Sequence, residues 1–158
     1  MVSALLALIG LFVAMYLTMY KTGMIGEITC SIGSCETVNT SRWSTFLGLP
    51  VAAWGLGFYI TALTVAIVGS SDRWADERGP AVVMVGLSGW GVLFSLWLTY
   101  LELFVIHAIC MWCVISAIIV TLIFITSVLD LREHANEGSV ALDAPPTNRS
   151  EPAQVRRA

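Results

Sequence analysis

Residues 103–129 read LFVIHAICMWCVISAIIVTLIFITSVL, and this stretch decides the fold of the chain. It contains no Asp, Glu, Lys or Arg. A helix needs about 20 mostly apolar residues to cross roughly 30 Å of hydrocarbon. The many β-branched residues would favour a strand in water, but in lipid the backbone must satisfy its own hydrogen bonds, which a helix does. We therefore predict a membrane-spanning helix over 109–129, with Cys110 and Cys113 at its start.

Three other blocks lack charged residues as well, at 1–20, 43–71 and 79–101. In and around them we predict helices at about 3–20, 49–68 and 81–106. The chain is 57% hydrophobic and 12% charged, which is the composition of a membrane protein. The first block lacks the basic start and the cleavage site of a signal peptide, so we expect it to be retained. The sequence predicts an all-α integral membrane protein, a four-transmembrane-helix bundle with an outer loop or short interfacial helix between helices 1 and 2.

The chain becomes polar after the fourth block. Because 131–158 hold three prolines and no periodic apolar positions, we predict a membrane domain at 1–130 followed by a disordered cytoplasmic tail. The Lys and Arg residues near the membrane slightly favour the 70–79 loop inside, which leaves the cysteines outside. Disulfides also persist in extracytoplasmic compartments, so we expect a protein of the inner or plasma membrane with its cysteines on the extracytoplasmic face. The net charge of −3, without a basic patch, gives no support for a nucleic-acid partner.

The four cysteines of the chain form two pairs. Cys30 and Cys35 lie in CSIGSC after the first predicted helix and are called the loop pair below; Cys110 and Cys113 lie in CMWC and are called the helix pair. With four crossings, the loops after helices 1 and 3 face the same side of the membrane. Unpaired N–H groups at a helix start stabilise a thiolate, which favours a reactive Cys110. We interpret the two pairs as dithiols that exchange electrons.

Two other functions remain open for these cysteines. Together with His107 they would suit a soft ion such as zinc or copper(I) in a membrane transporter or metal chaperone. Alternatively, they would staple the outer loops of a purely structural four-helix protein, although a disulfide over so short a loop saves little chain entropy.

Several neighbouring residues are candidates for a role in the site. An intramembrane carboxylate suggests function, but Glu102 lies so near the predicted interface that we expect it to reach water. His107 is read as an interfacial histidine, with a proton relay as the alternative. Trp112 is expected to pack against lipid or against a flat ring. In the interfacial stretch WSTFLGLP at 43–50, Trp43 and Phe46 are expected at the headgroup level.

These motifs, in this order, resemble the vitamin K epoxide reductase family in its bacterial form. The resemblance rests on C-x4-C in the first outer loop, on Ser41-Arg42-Trp43, on Gly48-Leu49-Pro50 before helix 2, and on C-x-x-C opening the last helix. It covers roughly residues 1–130. The other type of quinone-linked disulfide generator carries its C-x-x-C in the first outer loop, so the order of motifs here argues against that type.

The resemblance implies a four-helix bundle around a quinone, menaquinone or ubiquinone, that accepts electrons without a metal. Cys110 and Cys113 match the active-site pair, with Cys113 beside the quinone, and the loop pair matches the shuttle pair. Ser41 matches a Ser/Thr position near the quinone pocket. We add Trp43, Phe46 and Trp112 as candidate quinone contacts. Where the vertebrate enzymes have a tyrosine four residues beyond the last cysteine, this chain has Ala117, which argues against vitamin K epoxide itself as the substrate.

The predicted function is that of a membrane thiol:quinone oxidoreductase. Electrons would pass from a thioredoxin-fold thiol oxidase in the extracytoplasmic space, through both cysteine pairs, to the quinone. A separate partner protein is expected, because the tail is too short for a fused thioredoxin-like domain of on the order of 100 residues. The enzyme would thereby support disulfide bond formation.

Overall fold

The computed structural model describes residues 2–31, 33–71 and 78–143, with residue 134 and residues 137–143 described by backbone alone. Within these ranges the α-helices are α1 (Val2–Lys21), α2 (Cys35–Thr40), α3 (Val51–Gly69), α4 (Arg78–Tyr100) and α5 (Met111–Asp143). A 3₁₀ turn at Arg42–Ser44 and a π-helical segment at Leu101–Ile106 complete the helical structure of these ranges.

In the described ranges, four helices are long and apolar enough to cross a membrane. They are Val2–Lys21, Val51–Gly69, Arg78–Ile106 and Met111–Glu133. This confirms the predicted all-α membrane bundle. The outer segment between the first two spans contains the short helix α2, which begins at the second cysteine of the loop pair.

The bundle packs through close approaches between its helices. α1 lies against α3 and α5, and α4 lies against the same two helices. At Gly10 of α1, an added Cβ would overlap the ring of Tyr59 from α3. The Tyr59 hydroxyl bonds to the hydroxyl of Ser116 in α5 at 2.8 Å, which satisfies a buried polar group between helices. Small residues let membrane helices approach closely, and Gly10 does so for α1 and α3.

The interfacial stretch at 43–50 contains a small hairpin. Thr45–Phe46 pairs with Leu49–Pro50, and the two residues between them have φ angles of 53° at Leu47 and 82° at Gly48. A two-residue hairpin turn with positive φ at both positions matches the twist of its strands. Because Leu49–Pro50 belongs to this hairpin, α3 begins at Val51 and not at 49 as predicted.

The last helix is longer than predicted. α5 continues past residue 130, where we expected a disordered tail to begin, and its last residue is Asp143. A helix already nucleated in the membrane adds further residues at little cost, and the segment 131–143 contains good helix formers such as Leu, Arg, Glu and Ala. The predicted disorder of 144–158 concerns residues that lie outside the described part of the chain.

Candidate active site

The loop pair and the helix pair meet at one end of the bundle. Gly33, between the two loop cysteines, forms an isolated antiparallel bridge with Cys110. The Ser34 N–H donates to the Ile109 carbonyl at 2.9 Å. Gly33 has φ 91°, and a Cβ at this position would overlap the Ile109 carbonyl. A glycine is therefore what allows the loop backbone to lie against the start of α5, and the predicted placement of both pairs on one side is confirmed.

The two pairs differ in their sulfur geometry and in their exposure. Cys30 and Cys35 form a disulfide with a Cα–Cα distance of 6.1 Å, whereas Cys110 and Cys113 are free thiols. Cys35 and Cys110 are 1% and 0% exposed and belong to the same buried cluster. Cys30 packs at the edge of this cluster and is partly exposed. Cys35 is thus the more deeply buried loop cysteine, and Cys30 is nearer the surface.

Asn39 links the short helix α2 to the helix pair. Its side-chain amide donates to the Cys35 carbonyl at 2.9 Å and to the Cys110 sulfur at 3.9 Å. The Lys21 ammonium, at the end of α1, donates to the Asn39 carbonyl at 2.5 Å and to the Ser44 hydroxyl at 2.6 Å. These bonds fix α2 and the following turn over the site, so Asn39 presents a donor to the sulfur of Cys110.

Local hydrogen bonds lower the pKa of the Cys110 thiol. The hydrogen bond from the Cys113 thiol lowers the pKa of Cys110, and the backbone N–H groups of Cys113 and Trp112 act in the same direction. Burial and the nearby Glu102 carboxylate oppose this effect on the pKa without reversing it. The backbone contribution is the one expected for a thiol at a helix start, as predicted from C-x-x-C.

The expectation that Glu102 reaches water is wrong. Its side chain is buried, with 6% of its surface exposed. It lies in the π-helical segment. The residue after this segment, His107, is exposed and has the left-handed conformation, so the chain reverses direction and Cys110 lies beside the carboxylate. One carboxylate oxygen accepts the Cys110 N–H at 3.3 Å, and the carboxylate also interacts with the neighbouring Cys113 thiol. π-Helical segments recur at functional sites, and here the segment places an acid beside both cysteines.

A cavity of about 880 Å³ opens next to the helix pair. Its polar lining residues include Lys21, Asn39, Ser41, Glu102, Cys113 and Ser116. Its aromatic lining residues include Trp43, Phe46, Phe58, Trp90, Phe94 and Trp97. An apolar cavity of this size with a few convergent polar groups is typical of a small-molecule site. Cys113 is the cysteine that borders it.

The predicted quinone contacts divide into two groups. Ser41, Trp43 and Phe46 line the cavity, and the Phe46 ring stands edge-on to Trp97 with centroids 5.9 Å apart. Trp112 is not among the described residues that line the cavity. Its indole N–H donates to the Thr29 carbonyl at 2.9 Å, and its ring lies 5.1 Å from that of Tyr16. Trp112 thus holds the segment before Cys30 against the bundle, and we leave it out of the binding site proposed below.

Sequence reasoning missed three polar residues of the site. Asn39 follows Cys35 by four residues, the spacing that brings side chains together on a helix, but a helix at 35–40 was not located. Tyr59 and Ser116 are polar residues inside apolar spans, where such groups face the bundle and not lipid. Their positions in the sequence were therefore sufficient to predict that they face the interior. Among the residues that the structure describes, no group of three or more His, Cys, Asp or Glu is arranged to hold a metal ion.

A four-helix membrane bundle that holds a thiol pair against a loop disulfide defines a class of protein, the membrane thiol–disulfide oxidoreductases. Comparison with known families narrows the class. The model of the vitamin K epoxide reductase family matches residues 1–128, and the chain belongs to this family. The resemblance found in motif order and spacing is confirmed. In general, members of this family are linked to quinones and work with thioredoxin-like partners.

Proposed function

We propose that this protein is a thiol:quinone oxidoreductase that reoxidises a separate thioredoxin-fold thiol oxidase and passes the electrons to a membrane quinone. The observation that carries the proposal is the position of the helix pair. Cys113 borders a cavity of about 880 Å³, while Cys110 shares a buried cluster with Cys35 of the loop disulfide. The helix pair therefore contacts both an electron source and a site of suitable size for an acceptor.

The cavity suits a quinone, menaquinone or ubiquinone, as the acceptor. Aromatic side chains that line it offer faces and edges to a flat ring, and Ser41 and Asn39 add polar groups to the lining. The remaining wall is mostly apolar and belongs to helices that cross the membrane, where a lipid-soluble molecule is concentrated. These features support the roles that we assign to Ser41, Trp43 and Phe46 in quinone binding.

Electrons enter through the loop pair. A thiolate of the reduced partner attacks the sulfur of Cys30, the more exposed loop cysteine, and the bond to Cys35 breaks. The second partner thiol resolves the mixed disulfide, so the partner leaves oxidised and the loop pair is left as two thiols.

The second exchange moves the electrons into the membrane. The Cys35 thiolate attacks Cys110 of an oxidised helix pair and Cys113 leaves; Cys30 then resolves the Cys35–Cys110 bond and the loop disulfide re-forms. The product has a loop disulfide and two free helix-pair thiols. The helix pair then gives two electrons and two protons to the quinone and becomes a disulfide again.

This function also supports the location that we propose, the inner or plasma membrane with the cysteines on the extracytoplasmic face. Thiol oxidases work in oxidising compartments, where disulfides persist. The Lys and Arg distribution favours the same orientation slightly. The enzyme would thus generate disulfides for proteins outside the cytoplasm.

Quinone reduction by the purified protein tests the proposal. Ultraviolet absorbance follows a ubiquinone or menaquinone analogue, with a reduced thioredoxin-fold protein or dithiothreitol as electron donor. We expect turnover that disappears in Cys113→Ala. Val114→Ala is the matched control, because Val114 is the next residue of α5 and is 41% exposed on its outer surface. Full turnover in Cys113→Ala, or none in the folded wild type with any quinone analogue, would contradict the proposal.

A further inference from the structure

The mechanism above leaves one buried acid without a role. When a dithiol reduces a quinone, two protons have to leave the thiols as two electrons do, and the quinol that forms gains two protons. Of the described residues that line the cavity, Glu102 is the one carboxylate. It is 6% exposed, so bulk water has little access to it.

The contacts of Glu102 place it on the path of a thiol proton. The Cys113 thiol interacts electrostatically with two neighbours, the sulfur of Cys110 and the carboxylate of Glu102. The Cys110 N–H holds the carboxylate from the other side, at 3.3 Å from Oε2. A proton acceptor has to lie close to the proton that it removes, and Glu102 interacts with the Cys113 thiol and lines the same cavity.

We propose that Glu102 is a catalytic residue that accepts the Cys113 thiol proton and delivers it to the reduced quinone; the inference rests on the proposed function. The S–H bond of Cys113 breaks and the Glu102 carboxylate becomes a carboxylic acid. The electron pair of the helix pair passes to the quinone as the Cys110–Cys113 bond forms. The acid then gives its proton to one quinol oxygen, and the proton of the Cys110 thiol supplies the other. Glu102 returns to the carboxylate, ready for the next turnover.

A purely positioning role is the alternative that the experiment has to exclude. The bond from the Cys110 N–H would also orient the start of α5 without any proton transfer. Glu102→Gln separates the two roles, since the amide retains an acceptor oxygen for that N–H but does not accept a proton. Glu102→Asp keeps the acid on a side chain one methylene shorter.

The test uses two readouts on the full-length protein in detergent. Pre-reduced protein is mixed rapidly with a quinone analogue, and a single turnover is followed by absorbance. Separately, without quinone, reduced protein is treated with iodoacetamide and the alkylation of Cys113 is followed by mass spectrometry. Glu27→Gln is the matched control, because it makes the same substitution at an exposed carboxylate of the outer loop. Cys113→Ala is run in parallel to test the proposed function itself.

For Glu102→Gln we expect single-turnover reduction to slow by roughly 100-fold, the usual order for loss of a general acid or base. Alkylation of Cys113 should be no slower than in wild type, because removing a neighbouring negative charge does not disfavour a thiolate. Glu102→Asp should reduce quinone faster than Glu102→Gln, and Glu27→Gln should match wild type.

Three outcomes overturn the inference. They are a wild-type rate in Glu102→Gln, equal losses of reduction and alkylation in that variant, or an Asp variant no faster than the Gln variant. If Cys113→Ala is inactive in the same series, the proposed function survives this failure. Activity in Cys113→Ala would instead reject the proposed function.

Discussion

The loop pair and the helix pair have the same chemistry but opposite surroundings. The loop pair is held by a short helix and a glycine-containing loop, and Cys30 is partly exposed. The helix pair begins a membrane helix, and Cys110 is 0% exposed beneath the loop. Hydrogen-bonded groups surround this second pair, including the buried Glu102 and Asn39.

This difference indicates a division of labour between the two pairs. A disulfide that exchanges with another protein has to be reached by a thiolate, which requires exposure. A dithiol that reduces a lipid-soluble acceptor benefits instead from burial beside an apolar cavity and from groups that handle protons. A single pair could not be both exposed to a partner and buried beside the cavity. Two pairs meet both requirements, because Cys35 and Cys110 belong to one buried cluster.

The largest expected effect comes from breaking the loop pair alone. Cys30→Ala or Cys35→Ala should abolish turnover with a reduced thioredoxin-fold donor, because the shuttle disulfide no longer forms. A single turnover by pre-reduced protein should remain, since Cys110 and Cys113 still carry two electrons. The two assays are donor-driven absorbance and rapid mixing with a quinone analogue.

The helix pair provides the control for this experiment. Cys110→Ala should lose both activities, because the remaining Cys113 has no partner for an intramolecular disulfide. Retained donor-driven turnover in either loop variant would eliminate the shuttle step and with it the division between the pairs.

A smaller effect is expected from separating the pairs without removing a sulfur. Gly33→Ala places a Cβ against the Ile109 carbonyl at a residue with φ 91°, a conformation that costs a non-glycine residue about 1 to 3 kcal/mol. The loop should lift from Cys110, and donor-driven turnover should fall by roughly tenfold, the factor that 1.4 kcal/mol produces. Single-turnover quinone reduction should not change.

Gly26→Ala is the matched control for the glycine. Gly26 lies in the same outer loop, and a Cβ there meets no atom within 4 Å. Wild-type donor-driven turnover in Gly33→Ala would show that close contact of the two backbones is dispensable.

The same comparison explains which features the sequence predicts. The spans follow from length and apolarity alone, and loop parity places the cysteine pairs together. What the sequence does not reveal depends on local backbone geometry. The burial of Glu102 requires the π-helical segment and the left-handed residue His107, and no propensity rule predicts either from LELFVIH. The hydrogen bond of Trp112 is not predictable for a related reason, since the partner of its indole N–H lies 83 residues earlier in the chain.

The smallest expected effect concerns Trp112, and it tests whether this residue serves the loop or the quinone. Trp112→Phe removes the bond to the Thr29 carbonyl but keeps an aromatic ring against Tyr16. A hydrogen bond contributes about 1 kcal/mol net, so docking of the loop should weaken by roughly fivefold and donor-driven turnover should fall by a similar factor. The KM for the quinone should stay at its wild-type value.

Phe46→Ala gives the opposite pattern and completes the comparison. Phe46 lines the cavity and packs against Trp97, so its loss should raise the KM for the quinone while the KM for the protein donor is unchanged. Measuring the KM for the quinone and the KM for the protein donor in both variants shows whether each aromatic residue serves quinone binding or docking of the loop. A raised quinone KM in Trp112→Phe would return Trp112 to the binding site, as the sequence first suggested, and would mean that its contact with the loop is secondary.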